Sequence, residues 1–297
     1  PRSIFFFSLV VSVVGTTVVR TSTGLVAGFA DPDLNASTAF LGIPYAEAPV
    51  GERRFLPPTP KIPWQGILLA NETGPACWQK GEAASGLSED CLRLHVWTPN
   101  SCGNLRPVMV FLHGGALVKG SAVAIQAIRG GEKFLARDCD GVVSVALNYR
   151  LGVLGWLVVN GKANYGLLDT IEALRWIKAN IRAFGGDPGR ITIYGQSSGG
   201  SLVLALLASP LSNGLYSRAI SMSGSPRLNS TLEEARDYWH QEVYRNTTCS
   251  HFIHNATKLR TCLLTLSPHE LIYAMPEDWD PPQLWSLKMF SSEYAYA

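Results

Sequence analysis

The sequence predicts an α/β protein with a mostly parallel central sheet flanked by helices and preceded by an N-terminal β-hairpin. Three observations carry that expectation. Residues 108–112 and 141–147 are unbroken apolar runs, as strands buried on both faces are. Between residues 167 and 184, Ile171, Leu174, Ile177 and Ile181 keep helical spacing. Residues 190–196 form a β-rich run that breaks at Gly195 and resumes as the apolar, helix-forming run 202–208, so strands and helices alternate.

Taken in order, the chain opens with Arg2 and an apolar run over 4–14 that ends beside Gly15. A membrane-spanning helix needs about 20 such residues, so 1–15 reads as the remnant of a secretory signal peptide whose true start is missing; the alternative is a buried first strand. Residues 16–20 and 25–29 flank a short polar turn, a hairpin signal. Another strand is expected at 39–43. The segment 44–63 is too dense in proline for helix or central strand and is expected to lie irregularly over the surface. Residues 92–98 alternate like a half-buried strand, and Gly185, Gly186, Pro188 and Gly189 stop the helix before the 190–196 run. A further strand follows at 218–223, then polar helical stretches at 232–243 and 258–264 and a tail rich in Pro and Trp. With no internal repeat and no flexible linker, residues 16–297 read as one domain.

Hydrophobic residues make up 46% of the 297 and charged residues only 16%, which excludes wholesale disorder. A net charge of +2, with no basic run interleaved with aromatics, gives nucleic acid no footing. The six cysteines lack C-x-x-C spacing, and no metal or cofactor is expected. N-x-[ST] sequons stand at Asn35, Asn71, Asn229, Asn246 and Asn255, which together with the signal-like start point to the secretory pathway. In that oxidising compartment Cys77 with Cys91 and Cys249 with Cys262 are plausible staples, while Cys102 and Cys139 are left open. Closing a loop of about 15 residues contributes roughly 3 kcal/mol in the chain-entropy model.

The chemistry centres on Ser197. It stands in Gly195-Gln196-Ser197-Ser198-Gly199, a G-x-S-x-G pattern between a strand and a helix, the context of a nucleophile elbow. A serine hydroxyl is a weak nucleophile and must be held exposed where a base can take its proton. The tetrahedral intermediate needs N–H donors aimed at its oxyanion. His113-Gly114-Gly115-Ala116, directly after a buried strand, is the right type of loop to supply them, together with the N–H of Ser198. His113 precedes the serine, against the Ser, acid, His order of this site type. His240, His251, His254 and His269 lie in polar or turn-like surroundings and read as surface histidines.

These stretches, with the Phe40 to Ala46 run, Glu89-Asp90-Cys91-Leu92, Asn148 to Gly152, Asn164 to Asp169, Ala183 to Pro188 and Ser221 to Ser225, fall in the order of a known family. From Val18 to Pro226 the chain resembles the N-terminal half of a type B carboxylesterase/lipase, the secreted α/β-hydrolase family that includes cholinesterases and the catalytically dead neuroligins. The resemblance implies Ser197 as the acylated nucleophile. It implies an oxyanion hole from Gly115, Ala116 and Ser198, with Gly114 shaping the loop. Gln196 and Ser223 would lie just behind the reacting centre, Cys77–Cys91 and Cys249–Cys262 would be disulfides, and Glu89 would pair with Arg150 as a buried structural salt bridge near Asp169.

The chain also departs from the family pattern. Gln196 stands where active members usually carry Glu, Ser198 where they carry Ala, and Ala116 in place of a third glycine. The Cys77–Cys91 loop is short, with Trp78 too close to the staple for choline binding. The family's acid and histidine are expected beyond residue 297. The resulting expectation is a secreted serine esterase acting on a small-molecule or lipid ester, without a transmembrane segment in this chain and with its oligomeric state open. The alternative is a neuroligin-like recognition module or a truncated, inactive esterase.

Overall fold

The computed structural model describes residues 11–13, 16–31, 37–100, 103–123, 135–136, 141–225, 231, 233–234, 236–237 and 243–276. Its N-terminal part is an antiparallel run of strands. β1 (Val11–Val13) pairs with β2 (Thr16–Thr21), β2 with β3 (Gly24–Ala30), and β3 with β4 (Ser37–Pro44). The expected hairpin is therefore β2 and β3, joined through a turn in which the Thr21 hydroxyl accepts the N–H groups of Thr23 and Gly24. The proline-dense stretch that follows carries a single 3-10 turn, Gly51–Arg53, before the short β5 (Ile67–Leu69) joins β3. β6 (Ala76–Cys77) and β7 (Leu87–Ser88) form a separate two-stranded ribbon.

The second part is the parallel half. β8 (Arg93–Pro99) runs antiparallel to both β4 and β10 (Val143–Leu147); β10, β9 (Arg106–Leu112), β11 (Gly186–Gln196) and β12 (Arg218–Met222) are mutually parallel. Among the described residues the main sheet has ten strands, in the order β1-β2-β3-β4-β8-β10-β9-β11-β12 with β5 beside β3. The unbroken apolar runs occupy its centre, and every residue of β10 is buried. Alternate side chains serve opposite faces. Val108, Val110, Leu112, Val145, Leu147, Ile191 and Ile193 join the larger core, whereas Phe111 and Ala146 meet Ala39 and Trp97 on the other face.

Helices cover the sheet. α1 (Gly152–Trp156) is short and wholly buried; α2 (Tyr165–Asn180) turns Ile171, Leu174 and Ile177 inward, and Ile181 continues the stripe in a 3-10 turn closed by Gly185 at φ 80°. β11 begins earlier than the sequence suggests: Gly186 already pairs with Arg106, and a register shift before Ile191 absorbs Asp187, Pro188 and Gly189. α3 (Ser198–Ala208) follows β11 without a connecting loop. Farther on, Asn255 caps α4 (Ala256–Thr265) by accepting the Lys258 N–H, and Ser267 with Glu270 forms a capping box on α5 (Pro268–Tyr273).

Among the described residues two disulfides are present, Cys77–Cys91 and Cys249–Cys262. The other two cysteines, Cys102 and Cys139, lie outside the described residues, as do Asn35, Asn229, His240 and most of the 232–243 stretch. The sequon asparagines Asn71, Asn246 and Asn255 are exposed. No helix among the described residues is long and apolar enough to cross a membrane.

Candidate active site

At the carboxyl end of β11 the backbone reverses so sharply that two glycines are sterically required. A Cβ on Gly195 would lie 2.4 Å from the Gly199 carbonyl oxygen, and one on Gly199 would lie 2.1 Å from that of Leu112. Between them Ser197 sits at φ 57° and ψ −127°, a conformation L-residues avoid and one that costs on the order of 1–3 kcal/mol. It is held there by its own main chain. The Ser197 N–H donates to the Met222 carbonyl at 2.9 Å, and its carbonyl accepts from Ser201 at 3.0 Å. The strain sets a half-exposed hydroxyl at the start of α3, where unpaired helix N–H groups favour developing negative charge.

The loop after β9 lies directly against this turn. A Cβ on Gly114 would fall 2.6 Å from the Gln196 carbonyl oxygen and 3.2 Å from Ser197 Cβ, so only glycine lets loop and elbow meet. Gly115, Ala116 and Leu117 then follow at φ 112°, 55° and 61°. Two consecutive non-glycine residues at positive φ store strain of about 1–3 kcal/mol each, and several bonds keep the loop in that shape. The Gly115 carbonyl accepts from Val118 and Lys119 at 3.1 and 3.0 Å, and buried Leu117 accepts from Gly152 at 2.8 Å. The result is chemically open. Among the described residues no protein acceptor takes the N–H of Gly115, Ala116 or Ser198.

Ser198, where the family pattern has alanine, adds a strut. Its hydroxyl accepts the Leu117 N–H at 3.3 Å, and nearby the Tyr149 phenol donates to the His113 carbonyl at 2.7 Å. The segment after β9 is thereby bonded both to Ser198 after β11 and to Tyr149 after β10.

His113 itself is buried and stacked on Tyr149, with ring centroids 4.3 Å apart, and its Nδ1 bonds the Gly114 carbonyl. Burial lowers its pKa to about 4, only partly offset by that bond, so the ring is neutral and structural. The described later histidines, His251, His254 and His269, are exposed; His269 stacks on Tyr273. Gln196 is exposed beside Gly114. Ser223 is exposed at φ 53° just past β12, where the Met222 carbonyl rather than the Ser223 side chain meets the Ser197 backbone.

One expected contact is corrected. Glu89 and Arg150 do not pair. Arg150 gives Nε and Nη2 to the fully buried carboxylate of Asp169, at 2.8 and 2.7 Å, while its Nη1 donates to Leu56. Glu89 is taken by Arg54, two bonds of 2.6 Å, and the same Arg54 reaches the carbonyls of Leu263 in the last turn of α4 and of Leu266 just past it. The reason is one of saturation: each carboxylate already fills the planar fork of one guanidinium. Glu89 and Arg150, one from each pair, line the small cavity beside Trp78 and the Cys77–Cys91 bridge. Sequence reasoning did not single out Arg54, because nothing local marks an arginine whose partners are remote in the chain.

A larger cavity of about 570 Å³ opens in front of the elbow, with Gly114, Gly115 and Gln196 on one side and Gln79, Glu82 and Leu87 of the disulfide loop on the other. That volume lies in the range of small-molecule sites.

Ser197 on its strained turn lies against a loop of unengaged N–H groups, with an open cavity beside Gly114, Gly115 and Gln196, the geometry expected of a nucleophile elbow. The fold agrees: the solved structure of a protein titled PNB esterase superposes with a TM-score of 0.75 at 35% identity, covering 88% of this chain and 53% of that one. The model of the carboxylesterase family matches residues 15–291, and the chain belongs to that family. It is 37% identical to the acetylcholinesterase of Bungarus fasciatus over 284 residues, 89% of this chain and 46% of the relative. It is 39% identical to carboxylesterase 4A of Bos taurus over 253 residues, 78% of this chain and 44% of the relative. The chain thus spans about half the length of these curated relatives.

Proposed function

We propose that this chain carries the nucleophile and oxyanion half of a secreted carboxylic ester hydrolase that works through an acyl-enzyme on Ser197. The observation that carries the reading is the contact between Gly114 and the Ser197 turn, which sets the hydroxyl beside the unengaged N–H groups. Ser197 Oγ attacks the ester carbonyl carbon as its proton passes to a base. The carbonyl oxygen becomes an oxyanion held by the Gly115, Ala116 and Ser198 N–H groups, each such donor being worth about 3–4 kcal/mol at comparable sites. Collapse expels the alcohol with a proton and leaves the acyl group on Ser197; water attacks the acyl carbon and releases the acid.

The base and the carboxylate that orients it are assigned, as the resemblance implies, beyond residue 297. His113 is not a candidate, since its ring is buried among Tyr149 and Gly114. The substrate class is a small or lipid ester entering the cavity of about 570 Å³ beside Gln196. Secretion is supported by the two disulfides and by exposed Asn71, Asn246 and Asn255 in sequons. Retention of Ser197 in its strained geometry weighs against a purely adhesive role.

The test is labelling of the full-length protein with a fluorophosphonate probe and mapping of the adduct by peptide mass. Attachment at Ser197, abolished in Ser197→Ala, is the expected result. An unlabelled wild-type protein with intact fold overturns the reading.

A further inference from the structure

The oxyanion loop is fastened at its near end by Gly114 against the elbow, and its far end at Gly120 is fastened by a residue that the reaction does not itself require. Gln79 lies two positions beyond Cys77, and its side chain is buried. Its Oε1 accepts the Gly120 N–H at 2.8 Å, while Nε2 donates to the Gly120 carbonyl at 3.0 Å and to the Cys77 carbonyl at 3.0 Å. One carboxamide therefore satisfies both main-chain groups of Gly120, as a neighbouring strand would, and ties them back to its own chain beside the disulfide. Both Nε2 hydrogens are committed, so although Gln79 borders the cavity it has no donor left for a substrate.

Gly120 in turn bears on the residues that open the loop. It sits at φ 110°, and a Cβ there would fall 2.7 Å from both the Gly114 carbonyl oxygen and His113 Nδ1. The absence of a side chain is what lets the Gly120 backbone pack close to Gly114 and His113. Between these two fixed ends runs the strained turn Gly115-Ala116-Leu117, whose N–H groups must point outward to serve an oxyanion. A strained segment keeps its shape only while the surrounding structure over-determines it.

We infer that Gln79 is a positioning residue of the oxyanion hole: its carboxamide fixes Gly120, and through it the direction of the Gly115 and Ala116 N–H groups, with the Cys77–Cys91 bridge as the frame on which Gln79 is mounted. The inference rests on the reading of Ser197 as nucleophile. It concerns transition-state stabilisation and not substrate capture, because the Gln79 polar atoms are all turned to main chain.

The experiment uses the full-length enzyme with Gln79→Glu, which keeps the shape but sets carboxylate oxygen against two carbonyls, and Gln79→Met, which fills similar volume without charge. Both are assayed with p-nitrophenyl acetate, with active sites counted by fluorophosphonate titration. Inhibition by an aryl trifluoromethyl ketone, whose adduct with the serine carries an oxyanion, is measured in parallel. The expected result is a fall in kcat per titrated site of roughly tenfold to a hundredfold, below the full loss of one oxyanion donor, with KM within about twofold and ketone affinity falling in step with kcat. Wild-type kcat and ketone affinity in either folded variant overturn the inference while leaving the Ser197 reading intact. Loss of titratable sites with unchanged turnover per site overturns it too, since that marks a merely structural glutamine. If the wild-type enzyme itself fails to take the label at Ser197, the reading beneath the inference has failed instead.

Discussion

Replacing Gly114 by alanine puts one methyl group where loop and elbow touch. The added Cβ would stand 2.6 Å from the Gln196 carbonyl oxygen and 3.2 Å from Ser197 Cβ. Non-bonded carbon contacts settle at roughly 3.5–4.0 Å, so the two segments must part by about 1 Å. Neither can yield alone: Gln196 ends a strand paired on both sides, and Gly114 is backed by Gly120. Overpacking of this kind costs about 1–3 kcal/mol of stability, which the large core described above can absorb. Catalysis tolerates far less, because a 1 Å misplacement can cost on the order of a hundredfold and loss of an oxyanion donor about a hundredfold to a thousandfold. The full-length Gly114→Ala enzyme should therefore show kcat down by roughly two orders of magnitude with KM within about threefold. Steady-state hydrolysis of p-nitrophenyl butyrate, normalised to titrated sites, reads this directly, and a thermal melt verifies folding. A folded variant with kcat within threefold of wild type would refute the argument that this contact sets the hole.

Two further outcomes follow from the same geometry. Ser198→Ala removes the acceptor of the Leu117 N–H; urea unfolding should show a loss of about 1 kcal/mol, and unchanged stability would mean that the strut carries no net energy. His113 and His95 are buried and neutral, with pKa values lowered by burial to about 4 and about 3, Arg93 adding to the effect at His95. The unfolded chain binds a proton at each near pH 6.5 while the folded one does not, so stability declines as pH falls from about 6.5 toward 4, by roughly 1.4 kcal/mol per pH unit for each ring. His95→Gln, which can still accept the Gly42 N–H that His95 Nδ1 now takes at 2.9 Å, should flatten that slope by one ring's share in pH-dependent denaturation curves; an unaltered slope contradicts the assignment.

What the sequence made legible was whatever is written in consecutive residues. The elbow is one such case: Gly195, Ser197 and Gly199 lie within five positions, and each glycine answers to a clash that neighbouring backbone imposes. The buried strands announce themselves in the same way, since β10 is buried along its whole length and β9 over Val110, Phe111 and Leu112. The charged cluster was harder. The resemblance brought Glu89, Arg150 and Asp169 into one neighbourhood but joined the wrong two, because the choice among partners depends on Arg54, which approaches from the irregular segment after β4. Gln79 escaped notice for a related reason. A glutamine beside a cysteine has no periodicity, and its worth lies in a backbone far along the chain that happens to lack both partners for one glycine. Ser198 shows the middle case: its backbone role could be read from the motif, while its hydroxyl acquires a task only once the Leu117 N–H is seen to point at it.

The cap on α4 bears on how sugar would be displayed. Asn255 uses its Oδ1 to hold the Lys258 N–H, whereas an N-linked glycan attaches through Nδ2, so one amide can serve helix and carbohydrate at once. An asparagine locked in that way cannot swing freely. The first sugar would leave the surface along a direction dictated by the helix axis, and the Cys249–Cys262 bridge anchors that helix in turn. A glycan there would be a fixed vane rather than a loose tether, shielding the same patch of protein in every molecule and offering any lectin or antibody a reproducible orientation.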